Sequence, residues 1–176
     1  ETNPFFNILY MEVKKWAEKG QMVSVLNKEV FVIDEGKSEN TLVILHGYAT
    51  SSIDYYKILP ELSKHYRVII QDFVGFGFSD KPDKYYYNIL EQTDVTLELW
   101  RLLELTNITL LSHNYGTQIA LEILNRQKTS LFKIDVKNLV FLNSTLSFDY
   151  KSVSEESINP LQVFSNKIHL MLTAFS

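Results

Sequence analysis

The hydrophobic positions along the chain alternate between a helical and a strand-like period. Between Asn7 and Lys19, Ile8, Tyr10 or Met11, and Trp16 recur at helical spacing until Gly20 ends the pattern, which predicts a short amphipathic helix. Two β-branched runs follow, "MVSVLN" and "EVFVIDEG", divided at Asn27 and Lys28, and a connection that short predicts a hairpin. "TLVILHG" is a continuous apolar run stopped by glycine, the pattern of a strand buried on both faces. A helix is expected over "IDYYKILPELSKH", capped by Ser51 or Ser52 and carrying Asp54 in its first turn, with Pro60 kinking or shortening it. "RVIIQD" reads as a strand, and "FVGFGFSDKPD" must be irregular because glycines and a proline interrupt it. Helical and strand periods then alternate through "ILEQTDVTLELWRLLEL", "ITLLSH", "GTQIALEILNRQ" and "VKNLVFLN".

Strands and helices alternating at these lengths imply right-handed crossovers, and therefore an α/β fold with a mostly parallel sheet of about six strands and helices on both faces. Ligands of such sheets gather beyond the carboxyl ends of the strands. That rule directs attention to "HGY", "QDFVGFG", "SHNYG" and "LNST". Residues 1–145 read as the core. From Leu146 the character changes to serines, acids and a proline before a helical apolar pattern, so 146–176 read as the start of a cap or lid, or as a tail.

Composition narrows the functional classes. A chain of 176 residues, 45% hydrophobic and 22% charged, fits one globular domain with a sizeable core. The net charge is −4 and the longest basic run is Lys14-Lys15, which leaves no basic face for a nucleic acid. The absence of cysteine excludes disulfides, thiol catalysis and thiolate metal sites. No apolar run approaches the roughly 18–20 residues of a membrane-spanning helix. The compartment stays open, with a cytoplasmic setting favoured. The sequons at Asn107 and Asn143 abut expected buried strands and read as chance patterns.

The chemistry centres on "LLSHNYGTQIA", a strand, a sharp turn and a helix. Such a turn needs small residues on either side of its apex, and Ser112 and Gly116 supply them, which makes Asn114 the apex. The two glycines of "GFGFSD" fall short of a dinucleotide-binding loop, since a third is missing and no helix opens directly afterwards.

Taken in order, "LHGY", "DFVGFGFSDKP" and "SHNYG" resemble the landmark loops of the α/β-hydrolase superfamily across almost the whole chain. "HGYATSSIDYY" and "GFGFSDKP" are similar to the haloalkane dehalogenase and epoxide hydrolase branch, most of all to proteins of the mesoderm-specific transcript type. The resemblance implies a hydrolase acting on a small apolar ester, epoxide or related substrate, with water as second substrate and no metal or organic cofactor. It places Asn114 at the nucleophile position, where the branch carries aspartate, and makes the backbone N–H groups of Tyr48 and Tyr115 the oxyanion donors. His46, Gly47, Tyr48 and Tyr115 are the implied substrate-binding residues; Asp72, Gly75, Gly77, Ser112 and Gly116 are structural residues near the site. Resembling dehalogenases hold halide with an asparagine after "HG" and a tryptophan after the nucleophile, where this chain has Tyr48 and Tyr115. Their catalytic acid and histidine find no match here: Asn143 follows the sixth strand, and His46, His65, His113 and His169 all sit at other landmarks. The sequence therefore reads as a fragment or a chain cut through its lid, with an exposed sheet edge able to self-associate. The resemblance also suggests association with the endoplasmic reticulum. The alternative is a catalytically silent relative that uses its pocket for binding or scaffolding.

Overall fold

The computed structural model of the protein describes residues 4–127 and 134–144. The expected start of a cap at 146–176 lies outside the described residues. Helix α1 (Pro4–Lys19) leads into β1 (Gln21–Val25) and β2 (Lys28–Glu35), and then into β3 (Thr41–Leu45). A short α2 (Leu59–Leu62) precedes β4 (Arg67–Gln71), after which α3 (Ile89–Leu102), β5 (Asn107–His113), α4 (Tyr115–Gln127) and β6 (Asp135–Leu142) alternate. The described strands form a six-stranded sheet in the order β1-β2-β4-β3-β5-β6. β1 and β2 pair antiparallel, as do β2 and β4, whereas β4, β3, β5 and β6 run parallel to their neighbours. No helix of the described residues is long and apolar enough to cross a membrane.

Successive side chains on β2, β3 and β4 enter opposite cores, which is why these strands carry near-continuous apolar runs. Phe31, Ile33, Leu42, Ile44, Val68 and Ile70 pack with Trp16 of α1 and with Tyr55 and Leu59 of the segment between β3 and β4. Val30, Val32, Val43, Leu45 and Ile69 pack on the other face with Val95, Leu99 and Trp100 of α3 and Ile119, Ala120 and Ile123 of α4. β3 therefore lies where the winding reverses: its chain continues to β4 on one side, while β5 takes its other edge.

Two expectations need correction. The hairpin turn is one residue earlier than expected, at Leu26 and Asn27, because Lys28 already pairs with Val25. Both turn residues have left-handed backbone, with φ of 48° and 59°, the geometry that a two-residue hairpin favours through its twist. The long helix expected after β3 is instead a single 3-10 turn (Ser52–Tyr55) followed by the four-residue α2. Pro60 falls in the first turn of α2, where its missing N–H is harmless. Neither serine caps by its side chain: Ser51 makes no such bond, and the Ser52 hydroxyl accepts the indole N–H of Trp16 at 3.0 Å. The local capping signal was outweighed by a contact 36 residues away.

Candidate active site

The loops after β3, β4 and β5 meet at one end of the sheet. At the end of β5 the backbone of Asn114 takes φ +46°, a left-handed conformation that asparagine tolerates better than most side chains, and its side chain is exposed. Ser112 and Gly116 on either side are buried. A Cβ on Gly116 would lie 2.5 Å from the carbonyl oxygen of Leu45 and 2.7 Å from that of His46, so α4 can start this close to β3 only with glycine. Gly116 N–H donates to His46 O at 3.1 Å across that seam. Gly47 faces the same constraint, since a Cβ there would lie 2.7 Å from His113 Nδ1.

This close approach brings the N–H of Tyr48 to Asn114 Oδ1, to which it donates at 3.3 Å. Tyr115 opens α4, so its N–H belongs to the first turn and has no carbonyl partner within the helix. Behind the turn, the hydroxyls of Ser112 and Thr117 share a hydrogen bond of 3.2 Å, and Thr117 also bonds Ser144. Ser144 donates to Leu142 O at 3.0 Å, and that same carbonyl accepts the N–H of Asn114 at 3.2 Å.

Asp72 is fully buried. Its Oδ1 accepts Ser52 N–H at 2.7 Å, its Oδ2 accepts Phe78 N–H at 2.8 Å, and its carbonyl accepts the Ser79 hydroxyl at 2.7 Å. Gly77 wraps this carboxylate with φ +46°, and a Cβ there would lie 1.9 Å from Oδ2. Gly75, at φ +94°, packs against the ring of Tyr87. The loop after β4 is also held from α3: Gln92 Nε2 donates to Val74 O at 2.7 Å, and Gln71 Nε2 to Thr96 Oγ1 at 2.9 Å.

His46 joins the first two loops. Its Nε2 accepts the N–H of Phe73 at 3.0 Å, which assigns the proton to Nδ1, where it can be donated to Gly47 O at 2.8 Å. With no exposed surface and both nitrogens engaged, the ring offers a substrate no free atom; it shapes the site from beneath. Burial lowers its pKa below the ordinary value of 6.5, opposed by the Gly47 carbonyl and by the charges of Asp72 and Asp54, and assisted by His113. The folded state therefore favours neutral His46, and protonation would remove the acceptor for Phe73. The contribution to stability is complete above about pH 6.5 and declines as pH falls toward the depressed folded value, with a slope of at most about 1.4 kcal/mol per pH unit for one proton. Urea titrations at pH 7.5 and 5.5 should show a larger loss for the parent than for His46→Gln. Equal losses would remove His46 from the acid response.

Phe76 is the centre of an aromatic group drawn from the loops after β3, β4 and β5. Its ring lies 5.4 Å from His46, 6.1 Å from Tyr48 and 6.0 Å from Tyr115, while Phe73 contacts His46 at 4.5 Å and Tyr115 at 5.7 Å. Burial raises the pKa of the Tyr115 phenol, which keeps it neutral. Phe73, Phe76, Thr117, Gln92 and Ser144 are the site residues that sequence reasoning missed. The alternation of phenylalanine and glycine in "DFVGFGF" was the available signal for the two phenylalanines. Among the described residues, no three His, Asp or Glu side chains converge in a way that could hold a metal ion.

A sheet wound in this order, with a left-handed apex between β5 and α4, defines the α/β-hydrolase fold, and the chain belongs to that family: the family described as alpha/beta hydrolase fold matches residues 40–164. Within it, the chain is similar to the mesoderm-specific transcript homolog protein of Homo sapiens, with 40% identity over 135 residues. That match takes in 73% of this chain and 40% of the human protein, so the chain spans well under half the length of this relative. It is 31% identical over 137 residues to the 2-hydroxy-6-oxo-2,4-heptadienoate hydrolase of Pseudomonas putida, covering 76% of this chain and 48% of that one. Among solved structures, a haloalkane dehalogenase from Bradyrhizobium elkani superposes with a TM-score of 0.64 at 26% identity, covering 71% of this chain and 41% of that one.

Proposed function

We propose that the full-length protein is a hydrolase of a small apolar ester, epoxide or related compound, with water as its second substrate. In this scheme the β5–α4 turn is a nucleophile elbow with Asn114 at its apex, and the N–H groups of Tyr48 and Tyr115 form an oxyanion hole. Asp72, Gly75, Gly77, Ser112 and Gly116 hold the loops in place, and His46 and Gly47 shape the floor. Neither a metal nor an organic cofactor enters the scheme. The observation that carries this reading is the exposed side chain of Asn114, lifted from the sheet by its left-handed backbone and set against the N–H of Tyr48. A substrate oxygen can displace the 3.3 Å contact of Asn114 Oδ1 and take that donor for itself. Hydrolase relatives in the same family support the assignment.

One observation favours a second reading. The apex carries a neutral amide, which is a poor nucleophile, and its own oxygen occupies the N–H of Tyr48. A silent relative that binds without turnover would look the same. The two are separated by assaying the full-length protein and its Asn114→Ala variant against short-chain esters, epoxides and haloalkanes. Turnover by the parent, lost in the variant, is expected. A parent inactive on every class would overturn the hydrolase reading in favour of binding.

The outer edge of β6 has no partner strand among the described residues. An open ladder of this kind supports self-association wherever nothing else covers it.

A further inference from the structure

We propose that the site at Asn114 takes a carbonyl compound bearing a flat, unsaturated ring, and that it holds this ring against Tyr48 and Phe76. The proposal rests on reading the Asn114 turn as a substrate site. Tyr48 supplies two groups from one residue: its N–H lies at the apex, 3.3 Å from Asn114 Oδ1, and its ring is exposed. That side chain meets Phe76 edge to face, at 6.1 Å and 81°, yet remains 70% exposed. Among the described residues much of the Tyr48 ring therefore has no protein partner, although Phe76 contacts it edge to face. Phe76 in turn is held by His46 and Tyr115, so the surface is built rather than loose.

A carbonyl oxygen on the N–H of Tyr48 puts the substituent of that carbonyl beside the same residue's ring. The chemistry of the surface then selects the substituent. An aromatic face carries negative charge density and an aromatic edge carries positive, so the exposed ring attracts the edge of another aromatic group and repels a halide. A saturated ring of the same size buries similar apolar area but lacks this attraction. Tyr48 and Tyr115 occupy the positions where the resembling dehalogenases present side-chain N–H groups to halide, and the two tyrosines offer ring surface in their place.

The test uses a matched pair of unreactive ligands, benzamide and cyclohexanecarboxamide, titrated calorimetrically into the full-length protein. Benzamide is expected to bind several-fold more tightly, up to about tenfold. Tyr48→Leu should bring the two close to parity by weakening benzamide alone, and Phe76→Leu should do the same. Because Tyr48 is exposed, its variant tests the proposal even if Phe76→Leu does not fold. Equal affinities in the parent, a preference for the saturated ring, binding of neither amide, or a preference that survives Tyr48→Leu would each overturn the proposal. Neither amide is turned over, so the outcome is independent of catalysis. A ring preference in a parent inactive on esters, epoxides and haloalkanes alike would sink only the hydrolase reading, and turnover without a ring preference would sink only this one.

Discussion

Replacing Asn114 by aspartate in the full-length protein is expected to raise hydrolysis by roughly 10³-fold or more, because the loss of a nucleophile from a working site can cost on the order of 10⁶ in rate. The change swaps one atom pair and keeps the shape of the apex. A carboxylate fits the same left-handed backbone, since aspartate tolerates that region much as asparagine does. The Tyr48 N–H that donates to the amide oxygen has a charged acceptor instead, which strengthens the contact. The carboxylate oxygen can then supply its electron pair to an electrophilic carbon, breaking the bond to the leaving group or opening an epoxide. Water cleaves the resulting alkyl ester, or the mixed anhydride formed when the attacked carbon is the acyl carbon of an ester and alkoxide has left, and restores the carboxylate. Steady-state rates on the ester, epoxide and haloalkane panel measure the gain. Intact mass should be recorded for the parent, since conversion of the Asn114 amide to a carboxylate would itself create this variant. An aspartate variant no faster than the parent, with an unchanged melting curve, would show that the apex does not carry the reaction.

Asp72→Ala is expected to destabilise the fold by about 3 kcal/mol, since it strips the acceptors from Ser52 N–H and Phe78 N–H, and an unpaired buried donor costs about 1–3 kcal/mol. The Ser52 donor is completely buried and should account for most of the loss; Phe78 is partly exposed, so water can replace part of its bond. Asp72→Asn keeps one oxygen acceptor and turns an NH₂ toward the other N–H, so its effect should be smaller. Urea denaturation of parent and variants reads both values. An alanine variant within about 1 kcal/mol of the parent, below the span expected for these donors, would mean that the two loops are held by other contacts.

These cases show what was legible in the sequence. Strand periods, crossover order and the position of Asn114 relative to Ser112 and Gly116 depend on neighbours within a few residues, and all could be read directly. The path of the chain from Ser52 to Leu62 could not. Its apolar spacing suits a helix, but the Trp16 indole takes the Ser52 hydroxyl and the Asp72 carboxylate takes its N–H, both from distant parts of the chain. The hairpin turn was missed by one residue because Leu26 is a poor occupant of a left-handed position, and only the pairing of Val25 with Lys28 places it there. In the site, backbone donors follow from loop motifs. The aromatic group around Phe76 joins three loops and has no sequence period to announce it.

The hydroxyl chain behind the turn carries a mechanical consequence. Leu142 O accepts both the N–H of Asn114 and the hydroxyl of Ser144, and Thr117 ties Ser144 to the first turn of α4. The end of β6 and the apex are thus hitched to a common anchor. Any displacement of the backbone at Ser144 would therefore strain the same carbonyl that accepts the N–H of Asn114.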